Sequence, residues 1–150
     1  MAKNTIFAGG ISDVDRALVE EAKSGVSILP GSFMLRTAGL FTNVTVNGEG
    51  GAMYIADLNT MKQGGTEDAW VTGDSVKGFY PRAGEQYNVR SAVANYTAVD
   101  TPLTVNALGQ VRPALTDGTE EVIAYVQEII NVTVAGTLVR VRMANFGRAS

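Results

Sequence analysis

The sequence predicts a mainly β fold: a small antiparallel β-barrel or sandwich, with an N-terminal extended arm and one short α-helix ahead of it. Three observations predict it. Short runs rich in Val, Ile and Thr alternate apolar with polar residues, and a turn signal interrupts them about every 8 to 12 residues, which is the grammar of all-β folds. Glycine is abundant, at 17 of 150 residues, favouring turns over long helices. One strand-and-turn phrase, "NVTVNG" at Asn43–Gly48, returns as "NVTVAG" at Asn131–Gly136.

The elements follow in order. Residues 1–10, "MAKNTIFAGG", hold one apolar pair, Ile6-Phe7, before Gly9-Gly10, and read as an extended arm that docks elsewhere. Ser12 and Asp15 then have capping-box spacing, with Asp in place of the usual Glu. Ile11, Val14, Leu18 and Ala22 fall on one helical face, and Gly25 supplies a stop. The spacing predicts an amphipathic helix over 13–24, so arm and helix make a segment 1–25 ahead of a β-rich domain over 26–150.

From Val26 the period changes to two. "SILPGSFMLRTAG" has a Pro-Gly turn and an apolar run near Phe33–Leu35; "LFTNVTVNGEGG" sets Phe41, Asn43 and Thr45 against Thr42, Val44 and Val46. Further strands are expected near 52–58, 69–71, 86–93, 122–127 and 137–143. The run 122–127 also fits a helix, but its paired β-branched and aromatic residues favour a strand. "NVTV" is thus a strand end in both copies, with Gly48 and Gly136 at the turns, and "TVNALGQVRP" at 104–113 shows the same pattern. Three hairpin-like units read as recurring architecture rather than a recurring ligand.

Each copy of the repeat contains Asn-x-Thr, as does Asn95-Tyr96-Thr97. The N-terminus lacks the apolar core of a signal peptide and no run is long enough to span a bilayer, so the expectation is synthesis in a cytoplasm with the sequons unmodified. The formal charge of −3 is uneven, −4 over residues 1–75 and +1 over 76–150, and neither half makes a nucleic-acid footprint, with Arg140, Arg142 and Arg148 near the C-terminus reading as a solvated face.

The inventory for catalysis is poor. With no His and no Cys, the commonest general base and the thiolate nucleophile are missing, and a usual zinc site cannot be built. Neither enzyme activity nor a cofactor is expected. Three acidic doublets remain, Glu20-Glu21, Glu67-Asp68 and Glu120-Glu121, but neighbours on a strand point to opposite faces and do not converge. "NGEGGA" lacks the Lys-Ser/Thr of a phosphate loop and lies between strand patterns. Trp70, Tyr80, Tyr87 and Tyr96 could in principle form a stacking platform for sugars, though spaced aromatics in β proteins are usually packing partners. A carbohydrate-binding β module is therefore the alternative reading, and a carboxylate hydrolase a distant third.

The C-terminal half carries a resemblance. "YPRAGEQYNVRSA", "DTPLTVNALGQVRPA", "VIAYVQEI" and "AGTLVRVRMAN" together resemble the β-barrel, or β-tulip, module of tailed-bacteriophage capsid decoration proteins, also called head cement proteins. Pro81, Gly84, Leu103, Gly109, Val111 and Leu138–Val141 stand at matching places. Upstream, "ILPGSFMLRTAG", "MYIADLN" and "WVTGDSVKGF" extend the likeness to about 26–144, and "DTPL" departs from it where members commonly carry a glycine. The resemblance implies a noncatalytic protein, made in the host cytoplasm, that sits on the outer surface of the virion capsid. There it clamps adjacent major capsid subunits against internal DNA pressure. It also implies a homo-oligomer, with a trimer ahead of a dimer, and no nucleic-acid or membrane partner. The residues expected to touch the capsid are Ile6 and Phe7 in the arm and Val14 and Leu18 on the helix face.

Overall fold

β-branched and aromatic residues on a period of two pack best on a pleated surface with a buried face, and the chain uses them so. The computed structural model describes residues 3, 5–9, 18–44, 53–59, 64–115 and 119–144. Among them run the strands β1 (Phe7–Gly9), β2 (Leu18–Ser24), β3 (Phe33–Thr37), β4 (Leu40–Asn43), β5 (Met53–Ala56), β6 (Ser75–Tyr80), β7 (Gln86–Ser91), β8 (Ala94–Tyr96), β9 (Pro102–Val105), β10 (Val111–Pro113), β11 (Ala124–Val126), β12 (Ile130–Val132) and β13 (Thr137–Met143).

The strands close two rings rather than the single barrel expected over 26–150. β2, β4, β3, β5 and β6 form one barrel in that spatial order. β7, β10, β9, β11 and β13 pair in that order, and β13 returns to β7 along the register from Thr137↔Ser91 to Arg142↔Gln86, closing a second. β1 pairs with the start of β7, Phe7 opposite Tyr87. β8 and β12 make a separate two-stranded ribbon.

The expected helix over 13–24 is corrected. Residues 11–17, including Val14, lie outside the described residues, and 18–24 form β2, which pairs with β6 from Leu18↔Tyr80 to Lys23↔Ser75. "LVEEAKS" satisfies both periods: Ala22 and Ser24 turn inward at 8% and 3% exposure, while Val19, Glu21 and Lys23 face out. Small residues at the inward positions suit a barrel interior, and ladder pairing on β6 outweighs a local helix preference that is only a weak prior. The boundary expected at residue 25 therefore falls inside the first barrel.

The N-terminal arm is corrected in the same way. The Asn88 backbone N–H donates to the Ile6 carbonyl at 2.7 Å, and Asn88 Nδ2 donates to the Thr5 carbonyl at 2.8 Å. Ile6 is 1% exposed. The Phe7 ring packs 5.3 Å from Tyr87 and 6.0 Å from Phe79. Burying an Ile or Phe stabilises by about 1.5–3 kcal/mol, which holds the segment on its own chain.

One core cluster crosses both rings, joining Phe33, Met53, Ile55 and Phe79 of the first to Tyr87, Val89, Leu103, Val139 and Val141 of the second. A smaller cluster fills the first barrel around Met34, Phe41, Trp70 and Val76. Backbone bonds stitch the seam: Phe33 N–H donates to the Gly109 carbonyl and Arg90 N–H to the Gly31 carbonyl, each at 2.9 Å.

The repeated phrase resolves differently in its copies. "TVNALGQVRP" is a hairpin, β9 and β10 pairing from Val105↔Val111 to Leu103↔Pro113. In "NVTVAG" the chain turns at Gly136, but β12 pairs with β8 whereas β13 pairs with β7 and β11, so this unit passes between sheets and is not a hairpin. Thr45–Gly48 of the first copy lie outside the described residues.

Candidate functional site

Of the acidic doublets only Glu20-Glu21 lies on a strand, β2; Glu67-Asp68 and Glu120-Glu121 lie in turns and loops. Glu20 lies 3.6 Å from Arg36, and Glu67 pairs with Arg90 at 3.0 Å while Asp68 accepts the Gly65 N–H. Glu120 holds Arg112 and the Leu115 N–H. Among the described residues no group of three or more His, Cys, Asp or Glu side chains could hold a metal ion. Burial pushes the partly buried Asp57 carboxyl above its ordinary value. Asp57 Oδ1 accepts the N–H of the next residue, Leu58, at 2.7 Å, the contact of a turn residue.

The aromatic platform is not on the surface. Trp70 is 1% exposed, and its indole N–H donates to the Asp57 carbonyl at 2.8 Å. Tyr87 and Tyr96 are equally buried, which leaves Tyr80, 39% exposed, as the one member of the four that solvent reaches. The Tyr87 hydroxyl donates to Glu85 at 3.0 Å; burial and then the Glu85 charge push its ionisation far above the usual tyrosine range.

Buried charge marks where the two rings are locked. Arg90 is 2% exposed. Its Nε donates to the Pro30 carbonyl at 2.8 Å, Nη1 to the Gly136 carbonyl at 2.8 Å and to Glu67 at 3.0 Å, and Nη2 to the Thr66 carbonyl. One guanidinium thereby pins three loops, a task its planar fork performs and an ammonium does not.

Those loops converge with the β9–β10 turn at one end of the second barrel. Asn106 organises that turn: its side-chain oxygen accepts the N–H groups of Leu108 and Gln110 at 2.9 and 3.0 Å, and its own N–H donates to the Gln110 carbonyl. Gly109, at φ +74°, lies so close to the first barrel that an added Cβ would stand 2.5 Å from the Phe33 carbonyl oxygen. The rigid turn holds Leu108 out at 69% exposure. Beside it a cleft of about 280 Å³ follows the seam, lined by Ile28, Leu29, Asn43, Arg90, Leu108 and Gln110. Leu29 at 38%, Val93 at 63% and Val134 at 68% exposure come from the adjoining loops. Apolar side chains fixed on stiff loops with a polar rim are a surface on which docking would cost little entropy.

The residues expected to touch a partner are distributed otherwise. Ile6 is in the core and Phe7 is half-buried between rings of its own chain, so a contact through Ile6 would require withdrawing it from that core. Leu18 pairs opposite Tyr80 in the first barrel. Val14 lies outside the described residues. Leu29, Val93, Leu108 and Val134 were not singled out by the sequence; the available signal was an apolar residue inside a turn phrase, as Leu108 is in "NALGQ".

No family model and no curated protein matches the chain. Among solved structures, the head fiber gp8.5 N base in bacteriophage phi29 has a similar fold, with a TM-score of 0.54 at 14% identity, over 90% of this chain and 100% of that one. At that identity the likeness is one of fold, and it extends across both barrels.

Proposed function

We propose that the chain is a noncatalytic structural protein of a phage virion, a decoration or cement protein that binds the outer surface of the head and clamps adjacent major capsid subunits. The observation that carries this reading is the likeness of the two-barrel fold to a head-fibre base along nearly the whole chain. The resemblance of residues 26–144 to head cement modules supports it, as does a composition without His or Cys. The capsid-facing surface in this reading is the rigid loop end bearing Leu29 and Leu108.

Co-sedimentation with expanded, DNA-free heads tests it. Native protein is expected to saturate at a fixed ratio to coat subunits and to bind unassembled coat protein weakly. Leu108→Asp together with Leu29→Asp is expected to weaken binding at least about tenfold, since it buries charge in an apolar contact. Equal binding to heads and free coat subunits would defeat the clamp reading. The carbohydrate-binding alternative is not favoured, because Trp70 is enclosed.

A further inference from the structure

β13 carries two cations that its own chain leaves uncommitted. Side chains alternate along a strand, so Arg140 and Arg142 project from one face of the second barrel about 7 Å apart, and both are exposed. Among the described residues neither guanidinium forms an ion pair, although Asp and Glu outnumber Lys and Arg by 15 to 12 in the chain. The neighbouring acid is turned elsewhere. Glu128 receives the Lys3 ammonium at 3.1 Å on one oxygen and the Arg140 backbone N–H at 2.8 Å on the other, so it fastens the strand and leaves the guanidinium free.

Arg142 also borders a cleft. Tyr125 lies opposite it on β11 and Gln86 opposite it on β7. With Tyr125, the residues Gly84, Met143 and Ala144 complete an open hollow of about 420 Å³ whose walls are mostly apolar. Asp100 stands on its rim, one carboxylate oxygen accepting Gln127 Nε2 at 2.8 Å. The feature lies at the Met143 end of β13, away from Gly136 and from the loop surface bearing Leu29 and Leu108.

We propose that this face binds an acidic, extended segment of a partner protein, laid along β13 with an apolar side chain in the cleft. Charge selects the occupant: two uncommitted cations on alternate residues match carboxylates at i and i+2 of an extended chain, whose side chains repeat at the same spacing. The planar guanidinium fork is shaped to take a carboxylate through two hydrogen bonds. β13 is already paired with β7 on one side and β11 on the other, so the segment is read by side chains and not added as a further strand. The cleft sets the class of the neighbouring side chain, since walls around Tyr125 and Ala144 favour an aliphatic or aromatic group. A nucleic-acid strand fits less well, because it would carry a row of phosphates past Asp100 and Glu128 and gain nothing from apolar walls. Exposed ion pairs contribute little in water, so the dissociation constant is expected between about 10 µM and 1 mM. The proposal does not depend on the head-binding reading.

Titration of isotope-labelled protein with the synthetic peptide acetyl-Gly-Ser-Asp-Ser-Asp-Phe-Ser-Gly-amide, followed by NMR, tests it. Saturable binding is expected, with shifts confined to β11, the Met143 end of β13 and the turn at Gly84. R140Q/R142Q is expected to bind at least about tenfold more weakly, and its own spectrum shows whether it folds. K23Q/K77Q makes the same change in net charge on the first barrel and is expected to bind as the native chain does, which separates a local site from general attraction. A peptide with Lys in place of both Asp residues is expected not to bind. No saturable binding up to about 1 mM peptide, equal weakening in the two variants, or equal binding of the Lys peptide would each overturn the proposal. Tighter binding of an oligothymidylate of the same charge would overturn it too, by showing a surface for phosphates.

Discussion

Arg90 shows how a single residue can decide architecture and remain unreadable in sequence. "QYNVRS" alternates poorly because β7 is buried on both faces, and its arginine satisfies three loop carbonyls and one carboxylate while enclosed. Replacing it with Met leaves the carbonyls of Pro30, Thr66 and Gly136 without their donor, and each buried unsatisfied group costs about 1–3 kcal/mol. Glu67, its ionic partner, is 78% exposed, and surface pairs contribute about 0–1 kcal/mol. Arg90→Met is therefore expected to lower stability by roughly 2–5 kcal/mol and Glu67→Ala by under about 1 kcal/mol in urea unfolding; similar losses would mean that the ion pair dominates. Tyr87 and Tyr96 give a pH prediction. Burial raises both hydroxyls above the ordinary value of 10.0, so above pH 10 the unfolded chain releases protons that the folded chain keeps. With fewer protons bound in the unfolded state, stability falls as pH rises through that region. Tyrosinate absorbance from these two rings is expected to appear only as the circular dichroism of the fold is lost; ionisation in an intact fold would contradict their burial.

At the level of elements, legibility follows how local the determining physics is. The β9–β10 hairpin was legible because Asn106 and Gly109 carry its turn within five residues, and strand β11 because β-branched and aromatic side chains outweigh an ambiguous period. The helix over 13–24 was misread because Ala22 and Leu18 fit both periods, and the choice was made by β6, more than fifty residues away. Asp100 is instructive. It takes φ +67°, a left-handed conformation that Asp tolerates better than most residues. Gly109 joins local to non-local physics, since it needs both a positive φ and the absence of a Cβ against Phe33. Gly39 needs only the φ of +80°, with open space around it. Ala at Gly39 is expected to cost about 1–2 kcal/mol, and Ala at Gly109 that amount plus the displacement of the Phe33 backbone. Denaturant midpoints should separate the two variants clearly; equal losses would show that the seam yields without resistance.

For the whole molecule, composition announced a β fold but could not announce two rings, because both use the same strand grammar and both closures are long-range. β7 meets β13 across some fifty residues, and β10 joins β7 in parallel at Val111↔Ser91. The candidate surface shares this property: Leu29 and Leu108 are far apart in sequence and become neighbours only when the seam forms. Whether the rings behave as one cooperative unit follows from the core, which runs unbroken from Phe33 and Phe79 to Val139 and Val141. Trp70, the single tryptophan, is buried in the first barrel and reports on it alone. Val139 is fully buried in the second barrel. Val139→Ala removes two methyl groups there and is expected to cost about 1–3 kcal/mol by lost transfer energy and the cavity left behind. If the shared core couples the rings, the Trp70 fluorescence transition shifts by that full amount and coincides with the circular dichroism transition. A Trp70 transition that stays in place while the dichroism splits would mean that each ring unfolds separately, and that the loop end between them is a hinged joint rather than a fixed surface.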